Sequence, residues 1–278
     1  MLKKPLYYKN PREAKLERAK QALYPPPALI YNTYEVAAMA FYEKFMKAMS
    51  PVIEKYHRLE VHGLENIPPA GEGFILAPNH SGWFGWDAVV VGSILKDRKV
   101  RWLSWSYEKE HPEWNRMVAA FDAILHNNER PFPYGEIVNG ILKPGGIFGI
   151  FPEGNSNPMS KWYRLRPFFP GFIRVSAMAG APIIPVSVSG LEEASPILWA
   201  KEEEREPIKH AVALPVVFPT KVIVRFGTPS MSGLDANGLQ DREALRAAAE
   251  KIQIEVLRLL KNDRPEAYAE NAAGKRIG

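Results

Sequence analysis

The sequence contains no cysteine. A disulfide framework, a thiolate nucleophile and a cysteine-ligated zinc are therefore all excluded. No Gly-x-Ser-x-Gly elbow is present, which removes the common serine-hydrolase arrangement. No His-x-x-x-His or equivalent cluster stands out, and no metal site is expected. Nor does any run reach the roughly 18 apolar residues that a membrane-crossing helix needs. The opening Met1-Leu2-Lys3-Lys4-Pro5 leads into tyrosines and charges instead of a signal-peptide core. The chain is therefore expected in the cytoplasm, free to touch a membrane surface. It has no internal repeat, no low-complexity tract and no recognised nucleic-acid motif.

What is present is a folded chain of 278 residues, 46% hydrophobic and 24% charged, long enough to bury a sizeable core. The net charge of +5 suits an anionic partner. That excess sits in one place: residues 1–20 carry seven Lys or Arg against two Glu, a local +5. Tyr24-Pro25-Pro26-Pro27 then forms a stiff connector. Asn32 with Glu35 resembles a capping box opening a helix that carries Val36, Met39, Phe45 and Met46 up to Pro51, the apolar pattern continuing to Tyr56. This helix either packs on the core or lies on anionic lipid beside the basic arm.

From residue 59 strand-like and helix-like segments alternate. Strands are expected at 59–61, 74–78, 99–104, 123–126, 146–151, 183–189 and 221–226. Helices are expected from Asp87, and at 112–121, 136–142, 168–179 and 241–260. Repeated strand-then-helix order implies an α/β fold, a mostly parallel central sheet covered by helices on both faces, with an N-terminal helical appendage. The expected organisation is a basic arm and amphipathic helix over 1–58, an α/β domain over 59–265 and a polar tail over 266–278. Residues 195–218, with the charge run Lys201 to Glu206, break the rhythm and read as a surface insertion.

In such a sheet the working residues collect beyond the carboxyl ends of the strands. Three strand ends bear chemistry: Asn79-His80, the His126 to Arg130 segment, and the Phe151 to Asn157 segment. A histidine at a strand mouth with an acid a few residues on can serve as a general base and its orienter, or simply as a bonded loop residue and a helix cap. Parallel strands would bring all three ends to one rim. A metal-assisted hydrolase using His80, Asp87 and Glu153, and a non-catalytic lipid-binding module, are the competing readings.

Asn79-His80 followed by an Asp, then Ile150-Phe151-Pro152-Glu153-Gly154, then Ala181-Pro182-Ile183-Ile184-Pro185-Val186, resemble in order and separation motifs of the glycerolipid acyltransferases, best known as 1-acylglycerol-3-phosphate acyltransferases. The resemblance covers about residues 59–260. It implies transfer of a fatty acyl group from acyl-CoA or acyl carrier protein to a hydroxyl of a lipid acceptor, with no bound cofactor, at an anionic membrane surface on the inner face. By likeness His80 is the base and Asp87 its orienter. Asn128, Arg130, Glu153, Gly154, Asn155 and Ser156 would meet the acceptor. Lys161, Arg164 and Arg166 offer phosphate or headgroup contacts, and Trp83, Trp86, Pro182 and Pro185 would line an acyl channel. The sequence departs from the family in two ways. Asp87 stands seven residues after the histidine instead of five, with Gly82 and Gly85 able to absorb the extra loop. Asn128 and Asn155-Ser156 fall where the family offers phosphate-gripping arginines, so the acceptor is either a phosphomonoester held by nearby cations or a neutral lipid alcohol.

Overall fold

The computed structural model describes residues 27–107, 112–127, 131–201, 211–235 and 238–269, with side chains from residue 41 onward. The basic arm, Asn128, Arg130 and residues 202–206 of the charge run lie outside them. The first described element is a long helix α1 (Pro27–Tyr56), which starts before Asn32 and runs on through Pro51. Its Tyr42, Met46 and Ile53 are buried, while Phe41 and Val52 are exposed.

Seven strands form the central sheet: β1 (Glu60–His62), β2 (Phe74–Pro78), β3 (Val100–Trp105), β4 (Ile124–His126), β5 (Ile147–Gly149), β6 (Ile183–Ser189) and, after the hairpin described below, β9 (Ile223–Phe226). Their spatial order is β1-β9-β6-β2-β5-β3-β4. The run β6-β2-β5-β3-β4 is parallel throughout. Strand β9 pairs with β6 antiparallel and with β1 in parallel, so these two edge strands run against the rest. The insertion at 195–218 contains a two-stranded hairpin, β7 (Ile197–Ala200) and β8 (Ala211–Ala213), with Trp199 and Val212 exposed.

Helices cover both faces, and the alternation of side chains along β2 shows how. Phe74 and Leu76 point into a cluster with Val90, Val91 and Ile53, from α2 (Trp86–Ile94) and α1. Ile75 and Ala77 point into the opposite cluster. There they meet a π-helical turn (Glu136–Leu142), α4 (Gly171–Ala179) and the last helix, α6 (Arg242–Asp263). Between them in chain order lie α3 (Pro112–Ala120) and α5 (Leu191–Ala194). Helix α4 starts three residues later than its apolar pattern predicts because Pro170 disfavours helical geometry in the residue before it. At the head of α6 the Asp241 side chain accepts from the Glu243 and Ala244 N–H groups, satisfying two free donors.

One packing detail links this core to the strand ends. A Cβ on Gly149 would lie 2.4 Å from the Trp102 ring. Trp102 stacks on Phe151 at 4.8 Å, and Phe151 on the His80 ring at 4.3 Å. A methyl group at Gly149 would push this three-ring column from behind. Gly149→Ala is therefore expected to cost about 1–3 kcal/mol of unfolding free energy in denaturant titrations; an unchanged midpoint would contradict the packing described.

Candidate active site

Because β2, β4 and β5 are parallel, Asn79-His80, His126-Asn127 and Phe151-Pro152-Glu153 leave the sheet on one rim. Asn79 carries β2 past Pro78, which has no N–H to offer. Its amide donates to the Val188 carbonyl at 2.9 Å and accepts from the Val188 N–H at 2.7 Å, copying a ladder pair to β6. His80 is thereby fixed at the strand mouth, its side chain 18% exposed.

The His80 ring meets Asp87 at 2.6 Å, Nδ1 to Oδ2. Asp87 is fully buried in the first turn of α2, and its carboxylate also accepts from the N–H groups of Ser81, Gly82 and Ala88. An acceptor so placed selects the imidazole tautomer with its proton on Nδ1, which leaves Nε2 as the basic nitrogen. Burial works against a charged imidazole, but the Asp87 charge and hydrogen bond outweigh it, and the His80 pKa is raised.

The seven-residue separation closes because the loop between them bends sharply. Phe84 and Gly85 both take left-handed backbone geometry, at φ 55° and 65°. The loop is tied down at three points. Ser156 Oγ donates to the Gly82 carbonyl at 2.7 Å, and the Trp83 N–H donates to Ser195 Oγ at 3.2 Å. Trp86 Nε1 donates to His57 Nε2 at 3.0 Å, while His57 Nδ1 faces the Thr220 carbonyl at 3.2 Å. His57 is fully buried, and that burial lowers its pKa, keeping the acceptor nitrogen unprotonated.

Glu153 ties the second strand end to the first. One oxygen accepts from the His80 N–H and the other from the Arg166 N–H, each at 2.7 Å. Burial pushes its pKa up to about 7. Arg166 Nε donates to Asn157 Oδ1 at 2.8 Å, and Asn157 donates to the Arg164 carbonyl, so residues 157–166 fold back over Glu153.

The structure thus gathers His80, Asp87, Glu153, Ser156 and Arg166 about one point, with Arg164 at the rim of a small cavity beside His80. Gly154 is exposed and left-handed, and Asn155 and Lys161 are half-buried on the same excursion. Other residues fall differently from expectation. Ser156 is buried and holds the loop. Trp86 packs on His57, while Trp83 stays half-buried next to the exposed Phe84. Pro182 and Pro185 stand away from His80: Ile183 and Pro185 are in register with Ile75 and Ala77, which sets Pro182 opposite Phe74 at the far end of β2. Pro185 lines a separate groove with Lys251 and Arg258. Among the described residues no three His, Asp or Glu side chains converge as metal ligands.

Two polar residues at the cavity are not among those the sequence singles out: Glu192 and Tyr268. Glu192 follows β6, and the strand-end rule applied to that strand would have reached it. Tyr268 fell within the stretch read as a polar tail, yet it is 1% exposed and donates to Glu192 Oε1 at 2.7 Å.

Residues 58–189 match the family model "Acyltransferase". Over 154 residues the chain is 25% identical to the 1-acyl-sn-glycerol-3-phosphate acyltransferase of Bacillus subtilis, an alignment covering 54% of this chain and 71% of that protein. An uncharacterized protein of Mycobacterium tuberculosis is 29% identical over 159 residues, covering 52% of this chain and 41% of its own length. Among solved structures, the 1-acyl-sn-glycerophosphate (LPA) acyltransferase PlsC from Thermotoga maritima aligns with a TM-score of 0.49 and 19% identity, covering 84% of this chain and 91% of that one.

The buried carboxyl gives a pH signature. Glu153 holds a proton in the folded chain at pH values where the unfolded chain, with an ordinary value of 4.5, has lost it. Its stabilising contribution is full below pH 4.5 and is lost as the pH rises through about 7, and the raised His80 adds in the same direction above 6.5. Glu153→Gln should flatten this decline, and should cost about 1–3 kcal/mol by setting an amide NH2 against a backbone donor. Urea titrations between pH 4.5 and pH 8 check it; a wild-type slope in the variant would contradict the assignment.

Proposed function

We propose that the chain is a member of the acyltransferase family, whose model matches residues 58–189, and an O-acyltransferase in which His80 is the general base and Asp87 its orienter. The observation that carries this reading is the 2.6 Å contact of His80 Nδ1 with the buried Asp87, beside a cavity that His80 itself lines. His80 Nε2 takes the proton of the acceptor hydroxyl as that oxygen attacks the thioester carbonyl. The C–O ester bond forms, the C–S bond breaks, and the imidazolium returns its proton to the departing thiolate. The atoms balance with no covalent acyl-enzyme and no bound cofactor.

The donor in this reading is acyl-CoA or acyl carrier protein. The acceptor is a membrane lipid bearing a free hydroxyl, lysophosphatidic acid-like or a glycolipid, and residues 153–157 with Lys161, Arg164 and Arg166 surround it. The enzyme works as a peripheral protein on the inner membrane face. Supporting that placement, Phe84 and Trp199 are 57% and 55% exposed, the excess charge is positive, and among the described residues no helix is long and apolar enough to cross a membrane. A basic arm and amphipathic helix over 1–58, an α/β domain over 59–265 and a tail over 266–278 are the proposed organisation.

The test is thiol release from an acyl thioester in the presence of lysolipid acceptors. His80→Ala should lower turnover about 10²–10⁴-fold, and Asp87→Asn should lower it within the same range by setting the wrong tautomer. Equal release by wild type and His80→Ala would sink the proposal and leave lipid binding as the better account.

A further inference from the structure

We propose that Glu192 and Tyr268 form a hydroxyl seat beside His80, which selects an acceptor with a neutral, hydroxyl-bearing headgroup over one ending in a phosphomonoester. This rests on the acyl-transfer reading and specifies its substrate class.

The cavity beside His80 is narrow, with room for about one water-sized group. Its inner wall is made by Glu153, Glu192 and Tyr268, and its outer rim by Tyr163 and Arg164. Both carboxyls are buried, at 3% and 6% exposure. Their functions differ. Both Glu153 oxygens are held by backbone N–H groups from opposite sides of the site, so Glu153 is a fixed support. Glu192 lies at the start of α5, beyond the end of β6. One of its oxygens accepts from the Tyr268 hydroxyl at 2.7 Å and the other from the Gly190 N–H at 3.2 Å. The two carboxylate oxygens offer four acceptor positions, so capacity for a ligand remains beside these bonds and one from its own N–H, and the Tyr268 oxygen keeps its own lone pairs.

The cations nearby are arranged behind or outside the seat. Arg264 pairs with Glu193, which also accepts from the Tyr163 hydroxyl at 2.6 Å. Arg164 is exposed at the rim, and Arg166 turns its Nε toward Asn157. The inner wall is therefore rich in acceptors and backed by two acids. A phosphomonoester brings acceptors and negative charge to such a wall, so its contacts with the Glu153 and Glu192 carboxylates are repulsive or unpaired. An alcohol brings a donor, and its single oxygen matches the space. Burial pushes the Glu192 pKa up to about 7, so near neutrality the same carboxyl can also donate to an alcohol oxygen.

The alternative is that the Glu192–Tyr268 bond merely docks the last described segment of the chain. The readout must therefore be acceptor preference. The full-length protein would be assayed for thiol release, from both acyl-CoA and acylated carrier protein, with three acceptors of one chain length: 1-acylglycerol, its 3-glucoside and its 3-phosphate. Wild type should use at least one neutral acceptor with kcat/KM about 10-fold or more above the phosphate. Glu192→Gln and Tyr268→Phe should each lower kcat/KM for that acceptor about 10-fold, mainly through KM, and so shrink the ratio. A wild-type preference for the phosphate overturns the proposal, as does a ratio unchanged in both variants. If neither variant folds, the wild-type ratio alone decides. Release no greater than in His80→Ala with every acceptor and both donors removes the acyl-transfer reading itself, and the seat with it.

Discussion

The arrangement at the strand rim depends on one buried carboxyl. Glu153 accepts a hydrogen bond from His80, two residues beyond β2, and another from a segment thirteen residues downstream of itself, each at 2.7 Å. Removing a carboxyl from water costs several kcal/mol, and two hydrogen bonds to a charged acceptor return about 1.5–3 kcal/mol each. For the charged form the cost of burial exceeds the return from the bonds, so the carboxyl is pushed up to about 7 and yet stays in place. As a charged group Glu153 is therefore a poor source of stability. What it sets is position: the His80 backbone has one place to sit, and the chain at 164–166 must pass over it.

With that backbone fixed, the rest of the site is a problem of loop closure. Seven residues separate His80 from Asp87, and without restraint such a loop would let the acid wander. Two consecutive left-handed residues fold it back, and Ser156, Ser195 and His57 hold it from three different parts of the chain. The Asp87 carboxylate then meets Nδ1 of His80 with its remaining acceptor positions taken by backbone N–H groups. The longer spacing thus still gives a short contact. The ring column from Gly149 through Trp102 and Phe151 supports the imidazole from the other side, so the core of the sheet and the orientation of His80 are coupled.

Much of this was legible in the sequence because its causes are local. Apolar runs bounded by Gly and Pro mark β2, β5 and β6, and the strand-then-helix rhythm implies the parallel sheet that brings Asn79-His80 and Phe151 to Glu153 to one rim. What was not legible depends on long-range register or on distant partners. Ser156 looked like an acceptor contact, but its hydroxyl is spent on a carbonyl 74 positions earlier. Pro185 reads as part of a motif, while register with Ala77 puts it below the rim and beside α6. Tyr268 sits in a stretch whose composition is that of a tail. Its packing in the core beside Tyr163 and its bond to Glu192, 76 positions away, are both contacts between distant parts of the chain.

The central claim is that Asp87 holds His80 in the tautomer of a general base and strengthens it as a base, and the pH dependence of kcat/KM for acyl transfer tests it most directly. Asp87 raises the His80 pKa, so the rate should rise with pH on a limb set by that group, and in Asp87→Asn the limb should move to lower pH while the plateau falls. A variant profile with its limb at the wild-type pH would contradict the account.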